Sequence, residues 1–250
     1  MTARARFPGD TSRFSVTIAR DRAVIEEAQR LRYRVFGEEL GARLASRGRG
    51  LDEDEFDRHC DHLVVRDVVS GAAVGTYRIL TPESARAKGG YYSEREFDLG
   101  RLAPLRGRMA EVGRTCVDPA HRSGVVMLLM WSALAKYVIA SGHAYLIGCA
   151  SIGLGDGGHG AASVFRRLAA DGLGPEAYRV FPHRPLPLDS SGPGNPAPVP
   201  PLVKGYLSLG AWVCGEPAWD RDFHCADVPM LLALDRLDAK FVRHFLNRAA

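Results

Sequence analysis

The segment Glu111-Val112-Gly113-Arg114-Thr115-Cys116-Val117 carries two opposite charges inside an otherwise apolar run. Read as a strand, it places Glu111, Gly113 and Thr115 on one face and Val112, Arg114 and Cys116 on the other. Charges in a core strand persist when they are paired or employed, so Glu111 and Arg114 are candidates for proton transfer and anion binding, or else partners of other charges at a sheet edge. Directly after them, Asp118-Pro119-Ala120-His121-Arg122-Ser123-Gly124 forms a short polar loop ahead of a long apolar stretch that begins at Val125. A loop that opens a helix presents free backbone N–H groups and a positive dipole end, a fit for a phosphate that Arg122 would strengthen.

The acidic run Asp52-Glu53-Asp54-Glu55-Phe56-Asp57 lacks the spacing and glycine of an EF-hand loop, so no metal is expected there. It is either a solvated loop or a set of carboxylates that holds a cationic substrate. An amine must be neutral to attack, and a nearby carboxylate can position it and relay its proton. Cys149 and Ser151 end an apolar strand, but no GxSxG elbow and no spaced histidine support a covalent nucleophile. His62 and His121 read as structural.

These residues need a framework. Residues 22–40 repeat apolar positions at helical spacing (Val24, Ile25, Ala28, Leu31, Val35, Phe36), and His62–Asp67 and Ala73–Leu80 read as a hairpin turned at Ser70-Gly71. A mixed loop covers 81–108, with a short helix around 93–97. Met109–Val117, a helix over 123–141 capped by Ser123 and stopped at Gly142, and His143–Ala150 form a strand, helix, strand unit with a right-handed crossover. Further expectations are a helix at 161–170, a strand at 178–181, a helix at 202–209, a strand at 226–234 and a terminal helix at 237–248. The result is one α/β domain over 1–250: a mixed, mostly antiparallel sheet with one parallel crossover and helices on both faces. Residues 1–14 are expected to be a flexible arm, and 182–201 an irregular insertion rich in proline and glycine.

The chain has 250 residues, 46% hydrophobic and 25% charged, with a formal charge of +4. That composition excludes wholesale disorder and fibrous classes. Eleven arginines, from Arg4 to Arg49, crowd the first fifth of the chain and would attract an acidic partner. Five scattered cysteines without a CxxC pair indicate neither a disulfide framework nor a zinc site. No apolar leader follows the N-terminus, so the cytoplasm is the expected compartment. The apolar run 125–140 is shorter than the ~20 residues of a membrane span and contains Lys136, so a core helix is expected. No nucleotide-binding motif occurs.

Taken in order, Leu31-Arg32-Tyr33-Arg34-Val35-Phe36, the acidic segment 52–57, Gly75-Thr76-Tyr77-Arg78, Tyr91-Tyr92-Ser93-Glu94, residues 111–117, residues 146–151 and the long motif 202–223 resemble the bacterial ornithine N-acyltransferases of the GNAT superfamily. More distantly, Arg32, Asp52, Asp54, Asp57, Arg78, Glu111 and Arg114 resemble the charged set of acyl-homoserine lactone synthases, although the tryptophan those enzymes carry after the first helix is missing here. The resemblance implies a 3-hydroxyacyl group carried on the phosphopantetheine of acyl carrier protein, or of coenzyme A, and attacked directly by the α-amine of ornithine. It implies no tightly bound cofactor, no metal and no nucleic acid, with acyl carrier protein as partner and peripheral contact with the inner membrane. Glu111 is then the general base. Arg114 and Arg78 orient it or bind the amino acid's carboxylate, Asp54 and Asp57 hold its cationic side chain, and Arg32, Asp52 and Ser151 complete the substrate set. The donor is expected along Cys116 and Val117, with its phosphate at Arg122, Ser123, Gly124 and Val125. Other readings to be tested are a different acceptor, lactone synthesis and a non-catalytic membrane-binding or lytic protein.

Overall fold

The computed structural model describes residues 11–188 and 197–237. Asp21 caps the first helix, its carboxylate accepting from the Ala23 N–H at 2.9 Å. Helix α1 (Arg22–Arg32) continues as a wider π-turned segment, Tyr33–Glu39, so the sequence-read helix is one rod with two pitches. Strands β1 (Phe14–Ala19), β2 (Asp61–Asp67) and β3 (Ala73–Leu80) form an antiparallel meander. Helix α2 (Pro82–Lys88) and the short strand β4 (Phe97–Asp98) precede β5 (Met109–Val117). Helix α3 (Val125–Ala140) then crosses to β6 (Tyr145–Gly153), followed by α4 (His159–Ala170) and β7 (Phe181–Pro182). Helix α5 (Pro201–Ser208), β8 (Trp212–Val213), β9 (Ala218–Asp220) and β10 (Cys225–Ala233) complete the described chain.

The main sheet runs β1-β2-β3-β5-β6-β10-β8, with β9 also on β10, and among the described residues only β5 and β6 pair parallel. Period-two alternation on β2 shows how both faces are covered. Leu63 and Val65 pack with Val126, Met130, Leu134 and Val138 of α3, whereas Val64 packs with Ala28 and Leu31 of α1. The two helices therefore lie on opposite faces of the sheet, as expected for an α/β domain.

Three local expectations change. The α3 cap is Gly124 at φ 91°, not Ser123, because the chain enters through a left-handed residue that suits glycine. Strand β1 and helix α2 were not read from the sequence, although Phe14, Val16 and Ile18 alternate, and Thr81 caps α2 ahead of Pro82 with Gly89 left-handed beyond it. The strand expected at 178–181 is a tight turn, Glu176–Tyr178, followed by β7. Within 182–201, Leu186 and Val199 are buried in the core. The terminal helix expected at 237–248 lies, apart from Leu237, outside the described residues, as do most of the N-terminal arm and 189–196 of the insertion.

β5 and β6 are in register only from Met109↔Tyr145 to Glu111↔Ile147. Just beyond, a Cβ placed on Gly148 would overlap the Val112 carbonyl oxygen, a backbone atom that no rotamer change can move. Gly148→Ala is therefore expected to lower stability by about 1–3 kcal/mol, read as a drop of several degrees in the thermal unfolding midpoint.

Candidate active site

The site begins with one extra residue in β5. Thr76 pairs with Cys116 and Arg78 with Gly113, so Tyr77 of β3 faces two residues, Arg114 and Thr115. Arg114 takes φ 52°, the left-handed conformation of a bulge. An extra residue reverses the alternation beyond it. Arg114 and Cys116 thus join Glu111 and Gly113 on the α1 side, where Cys116 packs on Ala28, Leu31 and Val35. The expectation that Glu111 and Arg114 occupy opposite faces is corrected for this reason.

On that face, three arginines meet three aspartates. Arg32, fully buried, donates to Asp52 through Nε at 2.8 Å and to Asp57 through Nη2 at 2.9 Å. Arg78 donates through Nη1 to Asp54 at 2.6 Å and Asp57 at 3.2 Å. Arg114 lies between the rings of Tyr92 and Phe223, 3.4 Å from Asp54 and 3.3 Å from Asp52, and its Nε makes no well-aligned hydrogen bond. Burial pushes the Asp54 and Asp57 carboxyls up, but the adjacent arginines outweigh it and hold both below their usual 3.8. The acidic run is therefore neither a solvated loop nor an uncompensated cation trap. Its aspartates are matched by the chain's own arginines.

Glu111, 6% exposed, accepts from the backbone N–H of Tyr92 at 2.6 Å and of Ser93 at 2.7 Å, and from Ser93 Oγ at 2.5 Å. Burial raises its carboxyl and the Ser93 and Tyr92 donors oppose the rise; the net direction is upward. A fixed carboxylate of raised pKa suits a base near neutral pH. Beyond Glu111 the strands part. A cavity of about 330 Å³ passes through the gap, touching Arg78, Tyr92, Glu111 and Arg114 on its polar side and Trp131, Leu134, Tyr206, Leu209, Met230 and Leu232 on its apolar side. Burial pushes the Cys116 thiol up to about 12 and the Cys149 thiol well above its ordinary range, so neither is a ready nucleophile near neutral pH.

At the start of α3, Ser123 and Gly124 are exposed and no side chain caps the first turn. Arg122 reaches the Val117 carbonyl at 3.1 Å and is clasped by Glu39 at 2.6 and 2.7 Å. Of the N-terminal arginines, Arg13, Arg20, Arg30 and Arg49 pair with acids, whereas exposed Arg22, Arg43 and Arg47 form no ion pair among the described residues.

Ser151 lies on the far wall, donating to Asp227 Oδ1 at 2.5 Å. Glu96 and Asp220 line the same wall. Sequence reading assigned no role to these three acids, nor to Tyr92 and Ser93. The signal available was an aspartate inside the apolar run 225–233, the same kind of anomaly that marked Glu111.

Asp54 and Asp57, held ionised, contribute stability that is fully present above about pH 4 and is lost as the pH falls through their depressed values. Asp57→Asn strands part of the Arg32 and Arg78 charge in the core, so denaturant titration is expected to show a loss of about 3–5 kcal/mol. Comparison with known proteins identifies the family. The acetyltransferase (GNAT) domain pattern matches residues 31–132. An L-ornithine N(alpha)-acyltransferase of Rhodobacter capsulatus is 37% identical, across 94% of this chain and 95% of that one. Its counterpart in Brucella abortus is 34% identical, across 95% and 90%. Among solved structures, the CoA-dependent acyl-homoserine lactone synthase BjaI, with SAM and isopentyl-CoA, superposes with a TM-score of 0.53 at 15% identity, covering 93% of this chain and 87% of that one, a likeness of fold. With such identity over nearly the full length of both sequences, this chain belongs to the family of the L-ornithine N(alpha)-acyltransferases, on the GNAT fold.

Proposed function

We propose that this protein transfers an acyl group from a pantetheine-linked thioester to the α-amine of L-ornithine by direct attack. The observation that carries the reading is a single cavity holding a fixed, base-competent carboxylate, Glu111, at the point where β5 and β6 part, with an apolar limb beyond it. The amine nitrogen bonds to the carbonyl carbon and the carbon–sulfur bond breaks. The amine proton passes through Glu111, directly or by water, to the departing thiolate. Backbone N–H groups of β5 around Cys116 and Val117 would stabilise the oxyanion, an effect typically worth about 3 kcal/mol per well-placed donor. Arg114, with Nε lacking an aligned acceptor, is suited to the amino acid's carboxylate. Arg32, Asp52, Asp54, Asp57 and Arg78 then act as the rigid frame that holds Arg114.

The uncapped start of α3, from Ser123 to Val125, suits the donor's phosphate, with Arg122 beside it. An acidic acyl carrier protein is the favoured donor, supported by the exposed cations Arg22, Arg43 and Arg47, and a 3-hydroxyacyl chain would fill the apolar limb. The product is amphiphilic, which suits release at a membrane face. No helix among the described residues is long and apolar enough to cross one.

The test is steady-state acylation of ornithine with acyl carrier protein and coenzyme A donors in parallel. Glu111→Gln is expected to lower kcat by about 100-fold or more. The wild-type profile is expected to rise with pH through the raised Glu111 value, and the variant to lose that limb. Wild-type turnover in Glu111→Gln would remove Glu111 from the role.

A further inference from the structure

Two sets of acids in this protein are held differently, the second made of buried Asp227 with the half-buried Glu96 and Asp220. Asp52, Asp57, Asp61 and Asp67 each meet an arginine: Arg32 for the first two, Arg20 for Asp61 and Arg13 for Asp67. Glu96, Asp220 and Asp227 meet none, and no ion pair forms at any of them among the described residues. Asp227 is 5% exposed and stands opposite Ser151 in the β10–β6 register. Its Oδ1 accepts from Ser151 at 2.5 Å and from Cys225 Sγ at 3.7 Å, both neutral donors. Glu96 Oε2 is buried with no hydrogen-bond partner. Asp220 is fixed by the Asp222 and Phe223 N–H groups at 2.8 and 3.0 Å. All three carboxylates line the cavity that also holds Glu111 and Arg114.

Burying Asp227 without a cation is costly, and half-buried Glu96 and Asp220 add negative charge beside it; the cost is removed by a proton or by a cation that enters through the cavity. We infer that Glu96, Asp220 and Asp227 form the subsite that receives the side-chain ammonium of a diamino acid acceptor. This rests on the acyl-transfer reading above and adds its specificity determinant. An ammonium has three donors, and three carboxylates converge on this wall. With the α-amine at Glu111 and the α-carboxylate toward Arg114, the acceptor's far end lies against Glu96 and Asp227. Burial, with Asp220 adding to it, pushes both the Glu96 and Asp227 carboxyls upward, and the two hydrogen-bond to each other, the arrangement of a pair that shares a proton until a cation displaces it. The cluster expected at Asp54 and Asp57 cannot serve in this way, since Arg32 and Arg78 already occupy it.

Asp220, Cys225 and Asp227 also bring their ligand atoms within 4.8 Å of one another, so a metal ion is the competing occupant. Burial holds the Cys225 thiol far above neutral pH, which disfavours the thiolate that a soft metal would need.

The test is kcat/KM, with chelator-treated enzyme, for ornithine and for norvaline, which has the same three-carbon side chain without the ammonium. Wild type is expected to prefer ornithine by about 100-fold, and Asp227→Asn and Glu96→Gln to bring the ratio below about 10-fold, mainly through KM for ornithine. A wild-type ratio near one overturns the subsite while leaving acyl transfer intact, and needs no variant. A ratio unchanged in folded variants overturns it too, as does activity abolished by chelator and restored by zinc. Acylation of neither amino acid would instead defeat the acyl-transfer reading itself.

Discussion

One inserted residue in β5 decides the arrangement of this site. With Arg114 in a left-handed bulge, the strand changes parity, and a guanidinium that simple alternation sends to the far face is delivered beside Glu111. The same irregularity lies where β5 leaves β6, since their pairing stops at Glu111↔Ile147. A split between two parallel strands opens a passage through the sheet, with polar groups on one side and the apolar faces of α3, α5 and β10 on the other. Both consequences come from local backbone geometry, and the proposed reaction uses both.

Around the bulge, charge is sorted. Three arginines and three aspartates neutralise one another in a buried lattice that braces Arg114 and Arg78 against α1 and the 52–57 segment. Such lattices contribute less to net stability than to holding one geometry, because desolvation offsets most of the attraction. Across the cavity, Glu96 and Asp227 meet no arginine among the described residues and hydrogen-bond to each other. In the proposed reading this contrast separates a frame from a binding wall and puts the cation subsite away from the acidic run that first suggests it.

Much of this was legible in the sequence. Helical periodicity in 22–40, the hairpin 62–80 and the strand, helix, strand unit appear nearly as read, since each is a long element with a clear apolar pattern. Glu111 and Arg114 stood out as charges in a core strand. What alternation could not reveal was the bulge, because a single inserted residue leaves no mark in a one-dimensional pattern. Glu96, Tyr92 and Ser93 were hidden in a loop whose role is set by contacts with β5, 18 or 19 residues away in the chain for the Ser93 and Tyr92 bonds. Helix α2 was missed despite its Thr-Pro start and glycine stop, as seven residues are too few for periodicity to register.

The most direct test of where the reaction occurs is a crystal structure with a non-hydrolysable acyl-pantetheine analogue and ornithine bound together. The pantetheine is expected between β5 and β6 with its carbonyl near Cys116 and Val117, the acyl chain among Trp131, Leu134, Met230 and Leu232, and the α-amine within hydrogen-bond reach of Glu111 or of one water on it. A donor lying outside the β5–β6 gap, or an amine turned away from Glu111, would contradict this mechanism.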